Sequence, residues 1–326
     1  MAVALIYRMK YLFYYCMRHL FSLITLFTLL ALFSGAMLAQ RSAPPDARPV
    51  PDAATATQST ANAALADVRG EAPPIQDNSF LIEEAYNQEF GVVQHISNFT
   101  RLWSSGDWVY SFTQEWPGLK NARHQYSYTV QALGLGASPG AGVGDTLLNY
   151  RYQLVGDGEA RVAFAPRASL ILPSGASRQG RGYGGWGAQF SLPLSVVLNK
   201  SFVTHWNAGT TLIPRARDAA GERAFAAGYN LGQSVVWLAA DRLNFLVETV
   251  YNSSQTVTGR DRVATARSIF VSPGLRWAWN LRHRLQIVQG VAMPIGVGSS
   301  AGERGVFVYL SFEHPFMDTT MKPMKQ

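Results

Sequence analysis

From about Gly91 to Phe316 apolar and polar residues tend to take turns, the spacing of a β-strand whose successive side chains point to opposite faces. The clearest segment puts Leu148, Tyr150, Tyr152 and Leu154 on one face and Asn149, Arg151 and Gln153 on the other. The division recurs with Leu243, Phe245, Val247 and Tyr251 against Asn244, Glu248 and Asn252, although Leu246 and Val250 blur it. It recurs again with Val271, Leu275, Trp277 and Trp279 against Ser272, Gly274, Arg276 and Asn280. About twelve strands are expected, at roughly 91–103, 107–117, 124–136, 145–155, 160–173, 187–199, 202–214, 226–239, 242–252, 268–280, 283–296 and 306–316. Each is about ten residues or longer, enough for a tilted strand to cross a bilayer and longer than most strands of soluble proteins.

A soluble β-sandwich would also alternate, and the connections argue against it. Val155–Glu159, Asn199–Ser201, Ala240–Arg242 and Leu281–His283 are tight, whereas Gly175–Gly185, Arg215–Phe225, Ser253–Arg267 and Gly298–Gly305 are longer. Short turns alternating with long loops match the periplasmic turns and extracellular loops of a membrane barrel, with Ser104-Ser-Gly106 a short exception on the long side. An even strand count places both chain ends on the short-turn side. The expected fold is all-β, a transmembrane antiparallel up-and-down β-barrel of the bacterial outer membrane. Asp157 and Asp241 should then face the periplasm, and the loops near Gln179, Ala219 and Thr258 the outside.

The N-terminus carries Arg8, Lys10 and Arg18, then apolar residues from about Leu20 to Phe33, then the small residues Ser34, Gly35, Ala36 and Ala39. This order describes a secretory signal peptide over residues 1–39, with an uncleaved helical anchor as the alternative. The single cysteine, Cys16, leaves with it, so the mature chain has no disulfide and no thiolate metal site. Residues 40–78 are rich in Ala, Pro, Thr and Asp without apolar period, the composition of a disordered periplasmic leader. Phe80, Leu81, Ile82, Glu83 and Glu84 suggest a short helix or plug-like segment ahead of the first strand. The barrel is expected over 79–316 and a C-terminal tail over 317–326. In the last strand Val306, Val308, Leu310, Phe312 and Phe316 oppose Tyr309, Ser311 and Glu313, similar to the insertion signal of outer-membrane proteins. Expected partners are therefore periplasmic chaperones, the barrel-assembly machinery, outer-membrane lipids and lipopolysaccharide.

Three segments carry a family resemblance: Phe80–Ile96, Gly144–Tyr152 and Pro166–Gly175. In these the chain resembles the bacterial outer-membrane "transporter" barrels named for the meta-cleavage pathway of phenol degradation, over about residues 79–316. The resemblance implies a membrane barrel linked to uptake of aromatic or hydrophobic compounds, and it implies no catalytic residues.

Composition narrows the chemistry. A hydrophobic fraction of 48% with 15% charged residues is too apolar for disorder. The net charge of +7 comes without a lysine/arginine run or a recognition helix, so nucleic acid is not an expected partner. Arg178–Arg181 and Arg260–Arg262 read as solvated loops or as an attraction for anions or lipopolysaccharide at the barrel mouth. An arginine facing lipid at mid-membrane costs about 2–4 kcal/mol, which turns Arg151, Arg161, Arg167 and Arg276 inward. With Asn149, Gln153, Asn244 and Glu248 they are the candidates for the lumen wall, as a selectivity lining or as mutually paired filling. Tyr150, Tyr152, Phe245, Trp277, Phe312 and Phe316 should face lipid. Trp108, Tyr110, Trp116, Trp206, Trp277 and Trp279 suit interfacial girdles.

Two motifs invite sharper readings. His95-Ile-Ser97 sets an imidazole two residues from a hydroxyl on one strand face, the spacing of a general base beside a nucleophile in lipid-acting barrel hydrolases. No acidic or amide partner can be assigned to it from sequence. Gly180-Arg-Gly-Tyr-Gly-Gly185 looks like a phosphate cradle but lacks the strand-to-helix context, and reads as flexible loop glycines. His124, His205, His283 and His314 lack metal-ligand spacing, so no metal or cofactor is expected. The leading expectation is passive uptake or efflux of small organic solutes. A hydrolase using His95 and Ser97, or a non-conducting structural barrel, are the alternatives.

Overall fold

The computed structural model describes residue 75 and residues 78–119, 121–281 and 285–315. The expected signal peptide, most of the leader, the tail, His283 and Phe316 lie outside the described residues. The rest is a closed barrel of twelve antiparallel strands in chain order. They are β1 (Val92–Leu102), β2 (Trp108–Pro117), β3 (His124–Leu135), β4 (Ser138–Val143 and Thr146–Tyr152), β5 (Val162–Phe164 and Arg167–Leu172) and β6 (Gly187–Ser191 and Leu194–Asn199). They continue with β7 (Phe202–Arg217), β8 (Arg223–Ala240), β9 (Leu243–Gly259), β10 (Arg262–Asn280), β11 (Gln286–Ala292 and Ile295–Gly296) and β12 (Gly305–Pro315). β12 returns to β1 in unbroken register from Val92↔Pro315 to Leu102↔Gly305, which leaves the sheet without an edge.

The interruptions have a chemical cause. Pro166 in β5 and Pro193 in β6 sit on adjacent rungs between the pairs Phe164↔Leu194 and Arg167↔Ser191, and neither can donate to the ladder. Pro294 in β11 and Pro273 in β10 likewise sit on adjacent rungs between Val271↔Ile295 and Gly274↔Ala292.

The strand ends depart most from expectation at the long-loop side. β7, β8, β9 and β10 run 16, 18, 17 and 19 residues. The supposed loops Arg215–Phe225 and Ser253–Arg267 are mostly hairpin extensions, closed by residues 218–222 and by Arg260-Asp261. Asp261 takes the left-handed conformation there (φ 55°), which aspartate tolerates better than most residues. Strands of this length reach about 45 Å when tilted, against an apolar band of about 25 Å. Beyond the band water bathes both faces, so the sequence loses its alternation while the ladder continues. β4 likewise starts earlier than expected and turns tightly from β3 through Gly136 and Ala137.

Within the band the alternation is clear on β8: Trp237, Val235, Leu231 and Tyr229 are exposed on the outside, while Ser234 and Val236 are fully buried inside. The orientation has a direct check. Single cysteines at Ala219 and Thr258 should react with an impermeant thiol reagent on intact cells, and one at Asp241 should not. Labelling at Asp241 with protection at Thr258 would invert the barrel.

Candidate functional site

The lumen is not an open pore at the short-turn end. The Ile75 amide donates to the Asp241 carbonyl (3.0 Å) at that end, and residues 78–90 cross the lumen from the Glu248 side to the Arg151 side before Gly91 leads into β1. Residues 78–90 thus form an extended plug. Nothing in it forms a helix, and its backbone groups must be met by side chains of the wall.

One wall seats an apolar anchor. Phe80 packs its ring against Phe307 and Tyr309, with centroids 5.1 and 5.4 Å away, and shares a buried cluster with Val236, Leu246, Ala278, Val288 and Ala292. The fit requires glycine: a Cβ on Gly290 would lie 2.4 Å from the Phe80 ring, and one on Gly232 2.2 Å from Ile82. Around the anchor, Glu248 accepts the Phe80 amide (3.0 Å) and the Leu81 amide (3.0 and 3.2 Å to its two oxygens). Arg276 donates to the Asn78 carbonyl (2.6 Å) and lies over the Tyr309 ring at 5.2 Å.

The opposite wall holds the plug by charge. The Glu83 carboxylate meets Arg151 Nη2 at 3.0 Å and Arg167 Nε at 2.7 Å. Burial opposes its ionisation, but attraction to Arg167 and then Arg151 outweighs that and holds its carboxyl at about 2. Arg151 also donates to the Tyr86 carbonyl (2.6 Å), and Gln153 clamps the Ala85 carbonyl (2.8 Å) and the Asn87 amide (3.0 Å). Further along, Gln125 accepts the Gln88 amide (2.7 Å) while donating to Glu115 (2.9 Å), and the Gln88 side chain continues through Gln94 to Glu313. Ser195 accepts the Ala85 amide (2.8 Å) and bonds His205 Nδ1 (2.7 Å).

Beyond the plug, toward the long-loop end, lies a cavity of about 460 Å³ lined by Gln131, Asp145, Tyr183, Gln189, Thr211 and Gln255 among others. Gln189 links it to the plug, accepting from Arg167 (2.9 Å) and donating to Thr211 (3.1 Å). The glycine-rich segment at its rim is a loop, with Gly180 and Gly184 at positive φ, and hydrogen bonds tie it to the wall. Asp145 accepts the Gly175 amide (2.9 Å) and the Tyr183 amide (2.7 Å), and Arg181 is buried with a bond to the Gly140 carbonyl (2.9 Å).

The structure places Asn149, Arg151, Gln153, Arg167, Asn244, Glu248 and Arg276 on the inner wall. Asn149 accepts from Arg167 (3.0 Å) and donates to Ser127 (3.1 Å). Arg161 departs from expectation: β5 begins two residues later than expected, at Val162, so Arg161 sits exposed in the short turn instead of in the lumen. Tyr150 and Phe245 are exposed on the outer phase, and Tyr152, Trp277 and Phe312 are half-buried there. Gln88, Gln94, Gln125 and Ser195 were not singled out by sequence, and His205 was weighed only as a metal ligand. A polar residue at an inward position gave the only signal, and many strand positions share it.

His95 and Ser97 both lie on the outer face and find separate partners. His95 Nε2 is 3.3 Å from His314 Nε2, and the Ser97 hydroxyl is 3.2 Å from that of Tyr110. The imidazole is thus engaged away from the serine it would have to deprotonate.

No family model and no curated protein matches the chain. Among solved structures it is similar to an outer-membrane channel from Pseudomonas putida F1, at 10% identity and a TM-score of 0.51, covering 71% of this chain and 97% of that one. It is also similar to the NanC porin, at 12% identity and a TM-score of 0.45, covering 67% and 98%. At these identities the likeness is one of fold. The closed twelve-strand sheet, its exposed apolar outer face and that shared fold define the class: a bacterial outer-membrane β-barrel.

Proposed function

We propose that the barrel passes small organic solutes across the outer membrane without an energy source, and that residues 78–90 close its short-turn half. The observation that carries this reading is the division of the lumen. A cavity of mixed lining, with Leu133, Leu147, Ile171 and Val257 beside Gln131, Gln189 and Gln255, occupies the long-loop half, and a segment held to the wall largely through side chains fills the other half. Contacts made by side chains, unlike a shared strand ladder, can be lost in a local opening of the segment while the barrel stays closed. The solutes are aromatic or hydrophobic small molecules. This finer reading is supported by the resemblance of Phe80–Ile96, Gly144–Tyr152 and Pro166–Gly175 to the meta-pathway transporter barrels.

The filled lumen also favours a second reading, a barrel that never conducts. Planar-bilayer recordings separate the two. The protein should show low, intermittent conductance, and a variant lacking residues 78–90 a larger and steadier one. If that variant folds, by its heat-modifiable gel mobility, yet stays silent, the non-conducting reading holds.

A further inference from the structure

The outer surface of β8 changes character along its length. Trp237, Val235, Leu231, Tyr229 and Phe225 are exposed apolar residues on the outward phase, and the next exposed outward position is Arg223. From Trp237 to Phe225 the strand rises about 30 Å once tilted, close to the thickness of the hydrocarbon core. Arg223 therefore stands at the headgroup level of the leaflet on the long-loop side. Its partner across the ladder is Arg217 of β7, so two guanidinium groups share one face with Cβ atoms about 5 Å apart. Lower down, Arg267 of β10 is exposed in an outward row with Ser253 and Tyr229. Among the described residues none of the three arginines is in a salt bridge; in the β7–β8 turn the Asp218 carboxylate accepts the Glu222 amide (2.8 Å), and the Asp261 amide donates to the Arg223 carbonyl (2.9 Å).

Directly opposed like charges repel, and an unpaired arginine beside a lipid-facing band is costly. An external anion removes both penalties. We propose that Arg217, Arg223 and Arg267 form a binding site for the phosphorylated headgroup of lipopolysaccharide in the outer leaflet. A guanidinium fork matches a phosphate in bidentate fashion, and the Arg267 stem can extend along apolar surface to lift its charge toward the interface. The arginines occur at two heights, Arg267 beside Tyr229 and the Arg217–Arg223 pair above Phe225. A phospholipid offers its phosphate at a single level, whereas lipopolysaccharide carries anionic groups on lipid A and again on its inner sugars. Arg223 and Arg267 stand on the outward phase, and Arg217, opposite Arg223 on the ladder, also borders the lumen cavity at its rim.

The test compares the full mature chain with a triple variant, Arg217→Gln, Arg223→Gln and Arg267→Gln, and with Lys200→Gln at the short-turn end as a control. Folding is checked by heat-modifiable gel mobility. Lipid A co-purifying with each barrel is then counted by mass spectrometry, and purified bis-phosphorylated lipid A is titrated against phosphatidylglycerol as competitor. The protein and the Lys200 variant should retain lipid A through purification, the triple variant should lose it, and phosphatidylglycerol should displace it poorly. Retention by the triple variant, or equal displacement by phosphatidylglycerol, overturns the assignment.

Discussion

Replacing Glu83 with alanine should release the plug and raise the conductance of the reconstituted barrel. The substitution leaves Arg151, nearly fully buried, and Arg167 without their shared carboxylate. Removing one partner of a buried ion pair typically costs 3–5 kcal/mol. Glu83 retains some exposure, which favours the lower end, about 3 kcal/mol, or roughly a hundredfold in the docked-to-released ratio. Arg151→Gln should act in the same direction, because that side chain also holds the Tyr86 carbonyl; a hydrated lumen would have tolerated the change. Acid should imitate Glu83→Ala. A carboxyl near 4.5 when free and about 2 when docked contributes its full share above about 4.5 and loses it as pH falls through about 2. Single-channel recordings that show no change in open probability for Glu83→Ala would remove the ion pair from any role in closure.

The second large effect lies on the opposite face of the wall. Leu231→Arg should destabilise the folded barrel by about 2–4 kcal/mol, because Leu231 is exposed near the middle of the apolar band on β8. Tyr152→Arg should cost less, about 0–1 kcal/mol, since Tyr152 ends β4 at the short-turn interface where a long cation reaches water. Urea titrations in lipid vesicles measure both. Equal tolerance at the two sites would mean that depth in a bilayer does not govern this surface.

The barrel was legible because its wall obeys a local rule. Each strand must show lipid one face and the lumen the other, so Leu148, Tyr150 and Tyr152 alternate with Asn149 and Arg151 wherever a bilayer is present. Where the bilayer ends the rule lapses, and Ser253–Arg267 read as a loop although it continues the β9–β10 ladder. The plug was visible only as a suggestion in Phe80–Glu84. A clue to its seat lies in the same pattern: Leu246 and Val250 blur the alternation of β9 because both face inward, where Leu246 joins the apolar cluster that receives Phe80.

By itself the sequence determined the fold class, the strand faces and most strand positions, since period-two patterning and turn chemistry act over a few neighbouring residues. Only the tertiary structure decided what the inward charges meet. Glu83 lies 68 residues from Arg151 and 84 from Arg167, and Glu248 accepts amides 167 and 168 residues away. The alternation that turns these side chains inward is blind to what the closed barrel will hold. Their partners are set by which strands face each other across the lumen and by where the returning chain comes to rest between them.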